Sequence, residues 1–93
     1  MRISDFQELM VRTYGNRDRE RGVPVAVAWL VEEVGELAQA IRKGDDEARR
    51  HELADVLAWL ASIAAQLDLS LEDAAARYAD GCPRCGGIPC TCD

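Results

Sequence analysis

Aromatic side chains make up only 5% of these 93 residues, there is a single histidine, and 11 basic residues face 17 acidic ones. Each shortage removes a class of function. A formal charge of −6 argues against a general nucleic-acid binder, because contacts to a phosphate backbone need a basic surface. It leaves a nucleotide substrate open, since a bound cation can carry the phosphates. No apolar run approaches the roughly 20 residues that span a bilayer. The opening MRISDFQELM lacks the long apolar core of a signal peptide. A cytoplasmic protein without membrane contact is expected. Scarce aromatics, no apolar–polar alternation and no internal repeat leave strands without support.

What is present favours helices. Ala and Leu are abundant, and 48% apolar with 30% charged residues is a globular balance. A chain this short buries a modest share of its surface, so an oligomer that pools its cores is expected. Ser4, with Gln7 as the partner of a capping box, starts a first helix carrying Phe6, Leu9, Met10 and Tyr14. Gly15 and Asn16 are expected to stop it, leaving NRDRERG as a charged connector closed by Gly22. Pro24 suits the first turn of a second helix, on which Leu30, Val34, Leu37 and Ile41 fall in register. Arg42 and Lys43 suit its C-terminal dipole. Asp45 or Asp46 caps a third helix with the stripe Leu53, Val56, Leu57, Leu60, Ile63, Ala64 and Leu67. Ser70 opens a short fourth helix toward Tyr78, and Gly81 ends it. The short connector at Gly44 makes the second and third helices an antiparallel pair. The expected fold is an all-α antiparallel bundle over residues 1–80, completed as a homodimer or homotetramer, with a separate Cys-rich segment over 81–93.

Two acidic clusters stand on the central helices: Glu32, Glu33 and Glu36 in VEEVGEL, and Glu52 and Asp55 in HELADVL. Within each, carboxylates recur at i+3 or i+4 and stack on one helix face, where like charges repel. A hard divalent cation between the two helices reverses the sign of that repulsion. Val31, Val34 and Leu37 flank the first cluster and Leu53, Val56 and Leu57 the second, so the acids lie at the margin of apolar stripes. Fifteen residues separate Glu36 from Glu52, enough to finish a helix, turn at KGDD and return. In an antiparallel pair, Glu33 and Glu36 face Glu52 and Asp55. Four carboxylates suit one or two octahedral, oxygen-ligated ions that orient a polyphosphate and activate water. One E-x-x-E or E-x-x-D alone would read as solvated surface.

EEVGE followed after a gap by ELAD matches the E-E-x-x-E … E-x-x-D pattern of the MazG-type nucleoside triphosphate pyrophosphohydrolases, relatives of the all-α dimeric dUTPases. The chain resembles that family over about residues 1–80. The resemblance implies a MazG-like helical fold and Mg²⁺ (or Mn²⁺) held by Glu33, Glu36, Glu52 and Asp55. It also implies hydrolysis of a nucleoside triphosphate to the monophosphate and pyrophosphate, in a nucleotide house-cleaning role. Glu32 is then either a further ligand or the group that aligns or deprotonates the attacking water. A related enzyme acting on a phosphoribosyl metabolite, and a non-enzymatic helical interaction module, are the alternatives.

Trp29, one turn before Glu33, is placed either to stack on a base or to fill the core. Tyr14 and Trp59 lean toward core. The resemblance puts Arg77, beside Tyr78, where a basic–aromatic pair can touch phosphates; a solvated arginine is the simpler reading. Lys43, Arg42 and Arg49 read as cap and surface charges. His51 is expected to face solvent, because a hard Mg²⁺ site disfavours imidazole.

The end of the chain is a different material. CPRCGGIPCTCD places Cys82, Cys85, Cys90 and Cys92 within eleven residues. Four thiolates are the complement of a tetrahedral Zn²⁺ site, and CPxCG is a zinc-knuckle turn. A reducing cytoplasm disfavours the rival disulfide. The tight C-x-C half leaves open whether the ligands come from one chain or two. No nearby histidine is available to activate a nucleophilic cysteine.

Overall fold

A computed structural model describes all of residues 1–93 and is all-helical. Three long helices, α1 (Ile3–Arg21), α2 (Val23–Lys43) and α3 (Asp46–Gln66), are followed by a short α4 (Leu71–Ala75) and a 3-10 turn at Ala76–Tyr78. α2 and α3 pack most extensively, α1 lies mainly on α3, and α4 touches α1 and α3. The all-α expectation holds, and no strand is present.

The first helix departs from expectation. α1 runs through Gly15 and Asn16 to Arg21, so NRDRERG is helix and not a connector. A mid-helix glycine costs about 1 kcal/mol against alanine. The extra turns carry Asp18 to a buried position, where it pairs with Arg21 at 3.2 Å, and set Arg21 against the Trp29 and Trp59 rings of α2 and α3. The chain turns one residue later. Gly22, at φ 84°, donates its N–H to the Asp18 carbonyl at 3.0 Å and accepts from Ala26 at 3.2 Å. That left-handed conformation suits glycine and lets one residue serve two helices.

Ser4 does not cap α1. The backbone N–H of Arg2 donates to Asp5 Oδ2 at 2.9 Å instead, while Ser4 N–H reaches Glu72 Oε1 at 3.2 Å. Gln7 is spent on the far end of the fold. Its Nε2 donates to the Leu69 carbonyl and its Oε1 accepts from Leu71 N–H, both at 2.8 Å. These bonds dock the α3–α4 turn on α1. The other caps stand as expected: Asp45 Oδ1 accepts from Ala48 N–H at 2.9 Å, and Ser70 Oγ from Asp73 N–H at 3.1 Å.

The inner face of α2 reads Ala26, Leu30, Glu33, Leu37, Ala40, alternating steps of four and three. Ala26 and Ala40 are buried, and Glu33, between them on this face, is half-buried. The inner face of α3 is more polar: Glu52, Asp55, Trp59, Ser62 and Gln66 follow the same rhythm, with Ser62 buried. The acids therefore lie along the α2–α3 seam of the bundle. The outer faces are apolar, with Val27, Val31, Val34 and Ile41 on α2 and Leu53, Leu57, Leu60 and Leu67 on α3 all exposed. Only six residues are buried in the single chain. Its radius of gyration is 15.3 Å, where a compact chain of this length would have about 12 Å.

Candidate active site

The α2–α3 hairpin brings the acids together. One carboxylate oxygen each from Glu33, Glu36 and Glu52 lies within 4.8 Å of the others. Asp55 joins through Glu52, in a second group that includes His51. His51 is largely exposed, but its Nε2 lies 3.3 Å from Asp55 Oδ2, a contact that i,i+4 spacing on α3 makes available.

Glu33 carries the strain of this assembly. Burial first, then proton sharing with Glu36 and the charges of Glu36 and Asp55, push it from 4.5 up to about 7. Glu33 Oε2 and Glu52 Oε2 are both buried without a hydrogen-bond partner. Buried polar atoms are almost always satisfied, and what would satisfy two orphaned carboxylate oxygens in one cluster is a proton or a cation, not another acceptor. The donor set fits a hard divalent ion.

Trp29, Glu32 and Glu33 line one shallow cleft on the α2 side, so Trp29 does stand beside the acids. A second cleft, at the hairpin end, joins Glu36 and Glu52 to Lys43 and Gly44. Arg77 is not brought to the acids; it lies over the Tyr78 ring at 5.9 Å and lines none of the acidic clefts. Arg49 is a cap, as read, but for the neighbouring helix. Its Nε and Nη2 donate to the carbonyls of Ala40 and Ile41 on α2, at 3.1 and 3.0 Å.

The groove between α1 and α3 holds a cavity of about 200 Å³, lined by Tyr14, Asp18, Arg21, Asp55, Trp59 and Ser62. Asp55 thus belongs both to the acidic group and to this cavity. Trp29 and Trp59 meet edge to face with centroids 5.2 Å apart. The Arg21 guanidinium lies 4.9 Å from the Trp29 ring and 5.4 Å from Trp59. Arg21 Nη1 also donates to Asp18 Oδ1 at 3.2 Å. Sequence reasoning missed Asp18 and Arg21 because it ended the first helix too early. The available signal was the spacing Tyr14–Asp18–Arg21, four then three, which continues one helix face.

The MazG nucleotide pyrophosphohydrolase domain matches residues 23–84, about two-thirds of the chain. The protein belongs to the MazG nucleotide pyrophosphohydrolase family. No curated protein matches it as a relative. The MazG match starts where α2 starts and takes in all five acids, Trp29 and Trp59. Tyr14, Asp18 and Arg21 come from α1, outside it.

Beyond the MazG helices, the four cysteine sulfurs converge, all within 4.8 Å of one another. None is disulfide-bonded. Backbone N–H groups of Thr91 and Gly87 point at Cys85 Sγ and hold its thiol down to about 5. The neighbouring sulfurs of Cys90, Cys85 and Cys82 push Cys92 up to about 11. No single helix is long and apolar enough to cross a membrane.

Proposed function

We propose that this protein is a Mg²⁺-dependent (or Mn²⁺-dependent) nucleoside triphosphate pyrophosphohydrolase that converts a nucleotide to its monophosphate and pyrophosphate, in a nucleotide house-cleaning role. The observation that carries the reading is the pair of orphaned oxygens, Glu33 Oε2 and Glu52 Oε2, inside the acidic seam. Glu33, Glu36, Glu52 and Asp55 hold the metal. When bound, the ion neutralises phosphate charge and acidifies water. Glu32, on the Trp29 cleft, orients the attacking water and accepts its proton.

The base enters the α1–α3 cavity. Its 200 Å³ equals six or seven waters at about 30 Å³ each, room for one planar ring system and not for a whole nucleotide. Tyr14 and Trp59 offer faces for stacking, and Asp18 an acceptor for a base N–H. Because Asp55 lines the same cavity, a base seated there leaves its phosphates toward the acids. A homodimer or homotetramer formed through the exposed α2 and α3 stripes completes the bundle.

A panel of standard and modified nucleoside triphosphates, with a phosphoribosyl pyrophosphate compound included, tests this reading. Pyrophosphate release that needs Mg²⁺ or Mn²⁺ and discriminates among bases is expected. Failure to hydrolyse any triphosphate with either metal would sink it.

A further inference from the structure

Residues 81–93 contain no α-helix or strand, and their one large apolar side chain, Ile88, is 81% exposed. Nothing like a hydrophobic core holds this segment, yet it closes on itself. Gly86 N–H donates to the Cys82 carbonyl at 2.7 Å, and Cys82 N–H to the Gly87 carbonyl at 3.1 Å. The CPRCGG turn is a sealed loop with two sulfurs inside it. The remaining residues fold back so that Cys92 Sγ reaches 3.8 Å from Cys82 Sγ, and Cys90 Sγ 3.9 Å from Cys85 Sγ.

Those separations match the ligand spacing of a tetrahedral metal centre. Ligands about 2.3 Å from a tetrahedral ion lie about 3.8 Å from one another. A disulfide would need about 2.05 Å, and thiol–thiol hydrogen bonds are too weak to gather four sulfurs alone. Amide groups also point at the sulfurs: Gly87 and Thr91 donate to Cys85 at 3.4 Å, and Cys92 to Cys90 at 3.3 Å. Such donors stabilise negative charge on sulfur, the form a metal binds. The glycines make room for the wrap. A Cβ on Gly87 would stand 2.6 Å from the Pro89 carbonyl oxygen and 3.3 Å from Cys85 Sγ, and one on Gly81 would stand 2.6 Å from Ile88.

We propose that Cys82, Cys85, Cys90 and Cys92 of a single chain bind one structural Zn²⁺, in a site separate from the acidic seam. Zinc suits a closed four-sulfur site with no open position. The ion stands in for the core the segment lacks, so folding of the tail is largely metal binding. The C-x-C half, too tight to read from spacing, closes because Thr91 N–H turns back onto Cys85.

Elemental analysis of the full chain, purified under reducing conditions, should find about one zinc per chain. Cobalt exchanged into the protein should show the absorption of a tetrahedral tetrathiolate. Cys85→Ser and Cys92→Ser should each drop zinc to near zero while helical circular dichroism is kept, and Glu36→Gln should retain it. No zinc even after incubation with zinc chloride, iron in its place, or zinc unaffected by both cysteine variants would overturn the proposal. Half a zinc per chain would overturn the single-chain assignment.

Discussion

Arg49, on the first turns of α3, donates its Nε to the carbonyl oxygen of Ala40, near the end of α2, at 3.1 Å. Its Nη2 takes Ile41 as well, so one side chain satisfies two of the last carbonyls of α2. Ala40 lies one turn after Glu36, and Arg49 one turn before Glu52. The clamp therefore sets the register in which the two acidic clusters meet. Gly44 tightens the same corner, since a Cβ there would stand 2.8 Å from the Ala40 oxygen.

Arg49→Met keeps the aliphatic stem and removes both bonds. We expect a loss of about 1–2 kcal/mol, at the lower end for charged hydrogen bonds because the side chain is partly exposed. Urea melts measure the loss. Mg²⁺ titration should show weaker binding, although Arg49 touches no carboxylate of the site.

Glu33 makes the metal-free fold sensitive to pH. A carboxyl raised to about 7 in the folded state binds a proton that the unfolded chain has released above about 4.5. Its contribution to stability is full below about 4.5 and is lost as pH rises through about 7. Urea melts in EDTA should therefore give similar stability for wild type and Glu33→Gln at pH 4.5, with the variant more stable at pH 8. Adding Mg²⁺ at pH 8 should stabilise the wild type and leave the variant nearly unmoved.

Tyr14 is 43% exposed and lines the α1–α3 cavity, so its removal should cost the fold little. Stacking on one base is worth about 1–3 kcal/mol. Tyr14→Ala should raise KM for a good triphosphate about 5- to 150-fold, with kcat held within a few-fold. A fall in kcat at constant KM in steady-state assays would place Tyr14 outside the base site.

Leu53, Leu57, Leu60 and Leu67 form an exposed stripe at the same four–three spacing as a buried one. Light scattering should report a dimer or tetramer at micromolar concentration. Leu60→Glu should shift it toward monomer, because a charge cannot be buried there without a partner. An active wild-type monomer would contradict the oligomer.

The acidic seam was readable because its signal is local. Glu33 and Glu36 share a helix face by spacing, and a short turn at Gly44 obliges Glu52 to return opposite them. At Gly15 a local stop signal was outweighed by tertiary contacts of the turns beyond it, which set Arg21 against Trp29 and Trp59. The α1–α3 cavity was hidden for a related reason: Tyr14 and Trp59 are 45 residues apart, and no periodicity announces that they meet. His51 is exposed, as its sequence context suggested, and its contact with Asp55 is the i,i+4 neighbour of one helix face. In the tail, the cysteine pattern pointed to a metal, but the convergence of four sulfurs from one chain is a property of the folded turn.

Phosphorus NMR of the products tests the central claim most directly. Purified protein, Mg²⁺ and the best triphosphate of the panel should yield monophosphate and pyrophosphate in equal amounts. The Glu36→Gln, Asp55→Asn double variant should yield neither, while its helical circular dichroism matches wild type. Diphosphate with inorganic phosphate as the products, or wild-type turnover in the double variant, would contradict the account.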